Sequence, residues 1–314
     1  MNVAELQARA KLHEPLSRYT TARIGGPADL LVEARSTEEL IALCERADQL
    51  GLPCIVLGGG ANVLVSDAGV RGLVVINRSK AMRFTTRQTT ASVDVDSGVA
   101  LATLARECIE RGLGGFEWAI NVPGTVGGAI VGNAGAHGAD IASNLNLVRV
   151  MRRGQPPEYW TPRQLQLSYR SSALKRYAPA ERPIVLSATF DLKRDNRNNL
   201  ERRAHEFIAR RKATQPPGAS IGSMFKNPPG DFAGRLIEAC GLKGTHIGGA
   251  MISDIHANFF VNLSGEARAA DVKALIDLAH DRVLERFGID LELEIELIGE
   301  WEMQQIPLHN GGEP

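Results

Sequence analysis

Between Pro123 and Gly138 the chain reads PGTVGGAIVGNAGAHG, six glycines in sixteen residues. Each glycine gives up more backbone freedom on folding than alanine would, by about 0.5–1 kcal/mol, so a run this dense belongs where φ must be positive or where something approaches the main chain closely. A pyrophosphate is one such visitor, because bare amides can converge on its oxygens with no side chain between; compact turns alone are the other reading. A second cluster, Gly58, Gly59 and Gly60 in LGGGANVLV, follows the apolar run PCIVL and reads as a strand entering a tight loop, with Asn62 as a polar handle, and leaving as a second strand. The chain has neither G-x-G-x-x-G between strand and helix nor G-x-x-x-x-G-K-[ST], which argues against an ordinary NAD domain or a P-loop. Two such loops point to a different dinucleotide cradle.

The rest of the chain reads as mixed α and β structure. Residues 36–51 carry a capping box of Ser36 and Glu39, an apolar stripe through Leu40, Ile41, Cys44, Ala47 and Leu50, and a closing Gly51, which predicts a helix. Residues 100–112 repeat that signal. Short strands separated by turn residues over 147–192 predict an antiparallel sheet, and RDNRNN near 196 marks a boundary. Beyond it, AADVKALIDLAHDRVLERFG predicts a helix and LELEIELIG an alternating strand, with Leu291, Leu293, Ile295 and Leu297 on one face and Glu292, Glu294 and Glu296 on the other. The final residues, from 303, are expected to be loose.

Length and charge narrow the functional classes. With 314 residues, at roughly 150 per domain, two or three domains are expected. Lys+Arg and Asp+Glu are balanced at 36 each, so no long-range field draws in nucleic acid or an anionic membrane. The N-terminus lacks a signal-like apolar run and no stretch is long enough to span a bilayer, which leaves the cytoplasm as the expected location. Cys44, Cys54, Cys108 and Cys240 have no CxxC spacing and read as core residues in a reduced protein. The histidines show no ligand spacing, so no metal is expected.

Three side chains outside the glycine stretches could carry chemistry. Arg170 in SYRSS has a planar, permanently charged fork suited to a carboxylate or phosphate, although a surface arginine is the plainer reading. Ser223 in GASIGSMFKNPPG is expected on a stiff loop that could hold it at one distance from a ligand; an ordinary turn serine is the alternative. Glu294, in the middle of the acidic strand face, would act as a proton donor near neutrality if that face lines a cleft, and as a solvated carboxylate if it does not. His256 and Asn258 in SDIHANFF could line a site or form a buried, satisfied pair.

Taken together, TARIGGPA, LGGGANVLV, PGTVGGAIVGNAGAHG, SYRSS, GSMFKNP, HANFFVN and LELEIELIG, in this order over about residues 18–300, resemble the UDP-N-acetylenolpyruvoylglucosamine reductases. The resemblance implies an α+β protein. A PCMH-type FAD-binding region of two α/β lobes, 1–78 and 79–195, would precede a C-terminal α+β substrate domain, 196–302, and a tail, 303–314. It implies bound FAD, NADPH as hydride donor, a UDP-sugar substrate, and a role in peptidoglycan synthesis and so in cell shape and division. Arg170, Ser223 and Glu294 match the family's catalytic positions. Gly58, Gly59, Gly60, Ala61, Asn62, Val63, Pro123, Gly124, Thr125, Gly127, Gly128, Asn133 and Gly135 would hold the cofactor, and Lys226, Asn227 and His137 the substrate. His137 stands where relatives often carry a tyrosine. Only 53 positions separate Arg170 from Ser223, as in the subgroup without an inserted tyrosine loop. Two other readings stand beside this one: a different PCMH-type flavin oxidase, and a non-catalytic nucleotide-binding module.

Overall fold

A computed structural model describes residues 3–88 and 90–301, so the tail expected from 303 lies outside the described residues. Three sheets of four, six and four strands carry an α+β fold. The first runs in the order Lys11–Pro15, Pro27–Ala34, Val70–Asn77, Cys54–Leu57, the outer pair antiparallel and the rest parallel. Val70–Asn77 is central and buries Val70, Leu73, Val74, Val75 and Ile76, so it shows a continuous apolar run instead of alternation. The helix Thr37–Gln49 covers one face with Leu40, Leu43, Cys44 and Ala47. Its N-cap Ser36 accepts from the Glu39 N–H, a contact worth about 1 kcal/mol. Glu39 itself turns to the Arg35 N–H, so the expected reciprocal box closes one residue early.

The second sheet is antiparallel, in the order Glu158–Trp160, Leu145–Met151, Ile184–Arg194, Ala91–Asp96, Met82–Thr86, with the sixth strand, Leu113–Gly114, pairing the end of Ile184–Arg194. The helices Leu101–Glu110 and Val126–Gly132 bury Leu101, Leu104, Cys108, Val126 and Ile130 in its core. The helix Arg197–Thr214 then begins within the polar RDNRNN segment, capped by Asn196, buries only Leu200 and Ala204, and carries the chain to the third sheet. That sheet runs Ala219–Ser223, Phe259–Asn262, Ala250–Ile252, His246–Ile247, and the helix Ala269–Phe287 packs its Val272, Leu275, Ile276, Ala279 and Val283 into the same core.

Two expectations need correction. The nine-residue strand read in LELEIELIG contracts to Glu296–Ile298, which pairs in parallel with Val63–Val65 just after the GGG loop. Upstream the segment changes partners: Lys226 N–H donates to Glu292 O, Phe225 bridges Leu293, and Glu294 N–H donates to Met224 O. A chain bonded to two different elements in succession cannot maintain one long ladder. Ser223, expected on a loop, is the last residue of the strand Ala219–Ser223 and lies opposite Phe259 after a register shift.

Ile295, buried between those two attachments, anchors the segment in the third core. Ile295→Ala is expected to destabilise the fold by about 2–5 kcal/mol, read as a lowered urea midpoint.

Candidate active site

A cavity of about 1010 Å³ lies between the three sheets, at the upper end of the roughly 300–1,000 Å³ typical of small-molecule clefts. Both glycine stretches line it, and their glycines serve two purposes. Gly58, Gly59 and Gly60 are there so that protein can pack on protein. A Cβ at Gly58 would sit 2.1 Å from Thr125 Oγ1, and one at Gly59 would meet Gly124 Cα at 3.0 Å. Gly60 has φ +57°, and its Cβ would fall 2.1 Å from the Tyr19 carbonyl oxygen. Gly128 and Gly132 have no such reason: a Cβ at Gly128 would meet nothing nearer than 3.9 Å, and at Gly132 nothing within 4 Å. Both line the cavity, where their missing side chains leave backbone open to a ligand.

Arg170 is placed by a tight hairpin. Ser168 and Ser171 exchange both backbone hydrogen bonds, at 3.0 and 3.1 Å, leaving Tyr169 and Arg170 at the tip. Arg170 there takes φ +53°, a left-handed conformation that costs a non-glycine residue of order 1–3 kcal/mol and recurs at functional sites. The hairpin is pinned by Ser172 Oγ donating to Val131 O at 2.6 Å and by Asn133 Nδ2 donating to Ser168 O at 2.9 Å. From the tip, Arg170 Nε reaches to 2.8 Å from Glu294 Oε1, with side chains 24% and 18% exposed. The buried Nε–H nevertheless has no hydrogen-bond acceptor, so the two charges are close but misaligned. Such a donor is ready for an incoming group.

Glu294 and Ser223 line the same cavity from the last segment and the third sheet. Burial pushes the Glu294 carboxyl above the ordinary carboxylate range, against the opposing pull of Arg170, Lys175 and Lys226. Asn227 also lines the cavity, while its Oδ1 accepts from Ala233 N–H and so steadies the following helix. His137, at φ +55°, lays its ring flat on Phe207, 4.3 Å between centroids and 8° between planes. Burial, aided by Arg210 and Arg211, lowers its pKa and disfavours the charged ring. An aromatic surface therefore remains at that wall without a tyrosine.

Arg170, Ser223, Glu294, Asn227, His137 and all thirteen residues expected to hold the cofactor line this cavity. Lys226 does not: its ammonium pairs with Glu292, whose carboxylate lies outside the cavity wall. Asn133 contributes backbone only, since its buried amide is fully engaged with Ser168, Asp140 and Ala142. His256 and Asn258 form the satisfied pair, Asn258 bonding both ways to the Phe225 backbone and donating its N–H to His256 Nδ1. The string Gly218–Gly222 has G-x-S-x-G spacing, but Ser220 lies within a strand opposite Val261, not on a strand-to-helix elbow.

Sequence reasoning missed Arg182, Glu296, Arg210 and Arg211 on the cavity wall. Arg182 and Glu296 pair at 2.9 Å. Arg211 is half-buried with its pKa lowered by desolvation, and no ion pair or side-chain hydrogen bond is assigned to it among the described residues, as expected of a cation that awaits an anion. The RRK run at the end of a polar helix carried that signal only faintly, because charge runs usually face solvent. Among the described residues, no group of three His, Cys, Asp or Glu side chains is placed to hold a metal ion.

Residues 28–153 match the FAD binding domain family, and residues 213–298 match the UDP-N-acetylenolpyruvoylglucosamine reductase C-terminal domain. The UDP-N-acetylenolpyruvoylglucosamine reductase of Chloroflexus aggregans is 44% identical over 287 residues, covering 91% of this chain and 96% of that protein. That of Rubrobacter xylanophilus is 43% identical over 291 residues, covering 93% and 96%. The crystal structure of UDP-N-acetylenolpyruvylglucosamine reductase from Thermus caldophilus aligns with TM-score 0.76 at 37% identity, covering 92% of this chain and 98% of that one.

The two kinds of glycine should respond differently to substitution. Gly60→Ala is expected to lose at least about 1–3 kcal/mol from its left-handed backbone alone, with further loss as the loop shifts off Tyr19. Gly132→Ala should leave the melting temperature unchanged or slightly raised; a lowered value would show that packing, not an open wall, requires that glycine.

Proposed function

Because this chain belongs to the UDP-N-acetylenolpyruvoylglucosamine reductase family, we propose that its large cavity brings the enolpyruvyl group of that substrate against FAD, with NADPH as the hydride source. The protein is an FAD-containing oxidoreductase that reduces UDP-N-acetylenolpyruvoylglucosamine in peptidoglycan synthesis. One observation carries the site assignment: Arg170, Ser223 and Glu294, from three remote segments, line one cavity beside both glycine loops. Family membership over most of the chain favours this reading over a different flavin oxidase or a non-catalytic nucleotide module.

The cavity suits FAD in size and in kind. Gly128 and Gly132 leave backbone open, and the half-buried Arg211, unpaired among the described residues, offers a charge for a phosphate. Residues 58–63, 123–128 and the backbone of Asn133 and Gly135 would hold the cofactor, with Asn227 and His137 toward the UDP-sugar. When bound, FAD supplies the hydride that forms a new C–H bond at the terminal methylene carbon of the substrate. The electron pair of the C=C bond then moves onto the neighbouring carbon and its carboxylate. Arg170 and protonated Glu294 stabilise that enolate-like charge, a role in which one fixed donor is worth roughly 3 kcal/mol. Ser223 Oγ–H gives its proton to the carbanionic carbon, completing the lactyl ether of UDP-N-acetylmuramate, and the serine recovers a proton from solvent.

No helix among the described residues is long and apolar enough to cross a membrane. We place the enzyme in the cytoplasm, contributing through cell-wall synthesis to cell shape and division, and divide it at about residues 78 and 195 into two cofactor-binding lobes and a substrate domain.

Ser223→Ala should retain yellow, NADPH-reducible FAD and lose turnover by about 10²–10⁴-fold or more; full turnover would remove Ser223 from the chemistry. Glu294→Gln should slow flavin reoxidation by substrate more than flavin reduction, and equal losses in stopped flow would contradict the assignment. Since Glu294 acts as the protonated form and burial raises its pKa, reoxidation should decline as pH rises through that elevated pKa, not as pH falls.

A further inference from the structure

The backbone of Glu294 is held from three directions. Its carbonyl accepts from Lys175 Nζ at 2.7 Å and from Asn62 Nδ2 at 3.1 Å. Its N–H donates to Met224 O at 2.8 Å. Lys175 stands on the 3-10 turn Ala173–Arg176 that follows the Arg170 hairpin, Asn62 ends the first glycine loop, and Met224 follows Ser223. The two peptides flanking Glu294 therefore join the supports of the arginine, the serine and the glycine loop.

The surrounding charges single out Lys175. Along the last segment, Glu292 pairs with Lys226, Glu294 with Arg170 and Glu296 with Arg182. Lys175 lies within the field of Glu292, Glu294, Glu296 and Lys226, yet its ammonium hydrogen bond goes to a neutral carbonyl. Half-burying an ammonium for a main-chain acceptor costs desolvation, and burial accordingly lowers its pKa. A neutral donor such as glutamine could make the same bond.

We propose that Lys175 is a positioning residue for the reoxidation of the flavin by the substrate: its bond to the Glu294 carbonyl fixes the Glu294 carboxyl near Arg170, in the cavity that Ser223 also lines, and its charge acts on that carboxyl. The inference rests on the reading of Glu294 as the proton-bearing acid. Geometry and charge make separate marks. Losing the bond loosens the segment and slows the step that uses Glu294. Losing the positive charge makes the Glu294 proton harder to remove, so the alkaline limb of that step moves to higher pH.

The test is stopped flow on FAD-loaded enzyme across a pH series, following reduction by NADPH and reoxidation by UDP-N-acetylglucosamine enolpyruvate separately. Lys175→Met should leave reduction within about twofold and slow reoxidation by about 10–100-fold, the range seen when an outer-shell partner is lost, with the alkaline limb raised. Lys175→Gln, which can keep the carbonyl bond without the charge, should lose less rate and still show the raised limb. Lys175→Arg should restore the limb toward the wild-type position. An unshifted limb in both neutral variants, or equal loss in both half-reactions, overturns the proposal. If Lys175→Met does not retain FAD, Lys175→Gln decides by the same limb. Wild-type reoxidation insensitive to pH, together with a fully active Glu294→Gln, would instead sink the underlying reading of Glu294.

Discussion

The short parallel ladder between Val63–Val65 and Glu296–Ile298, extended by the bonds to the Glu294 peptide, is the constraint on which the site depends. It ties the end of the described chain to the exit of the first glycine loop. Without it, the carboxyls of Glu294 and Glu296 would not be held on the cavity wall with Ser223 and the glycine loops. The ladder is only three residues long, and such a pairing is weak alone. It persists because Leu64, Val65, Ile295 and Ile298 on either side are buried in cores that already exist for other reasons.

The glycines show how one residue type answers two demands. At Gly58, Gly59 and Gly60 the missing Cβ lets the loops close on Thr125, Gly124 and Tyr19. At Gly128 and Gly132 the same absence faces the cavity. The first group makes the cradle compact and the second leaves its wall bare. A single substitution at either would be felt for unrelated reasons: in the first case a clash within the protein, in the second the loss of room for a ligand.

Electrostatically the cavity is a place of incomplete pairing within a neutral molecule. Many surface charges form ordinary pairs, several at i,i+4 spacing on helices, where each contributes little. On the cavity wall, Arg170 is near Glu294 without hydrogen-bond alignment, Arg211 has no side-chain partner among the described residues, and burial raises the pKa of the Glu294 carboxyl. Groups held in that state are expensive to maintain unless a ligand completes them. That these three come from a hairpin, a helix and the last segment around one cavity is the physical basis for assigning chemistry there.

Much of this was legible in one dimension. Helical periodicity over 36–51 and 269–288, the Ser36 cap, the antiparallel pattern near 147–192 and the meaning of dense glycine are local properties, set within a few residues of where they act. The ordered set of short motifs carried the family for the same reason. Pairing across the chain was not legible. Nothing local says that LELEIELIG will divide between Met224 and Val63, that Ser223 will end a strand, that Lys226 will turn to Glu292 while Lys175 takes the Glu294 carbonyl, or that Arg211, alone of a polar RRK run, will be half-buried on the cavity wall. Sequence by itself determined which residue types were available and which segments would be helix, strand or bare loop, because propensity and periodicity are short-range. Only the tertiary structure decided which carboxyl meets which cation and how deeply each is buried, because desolvation and Coulomb interaction depend on distances in space that no spacing along the chain encodes.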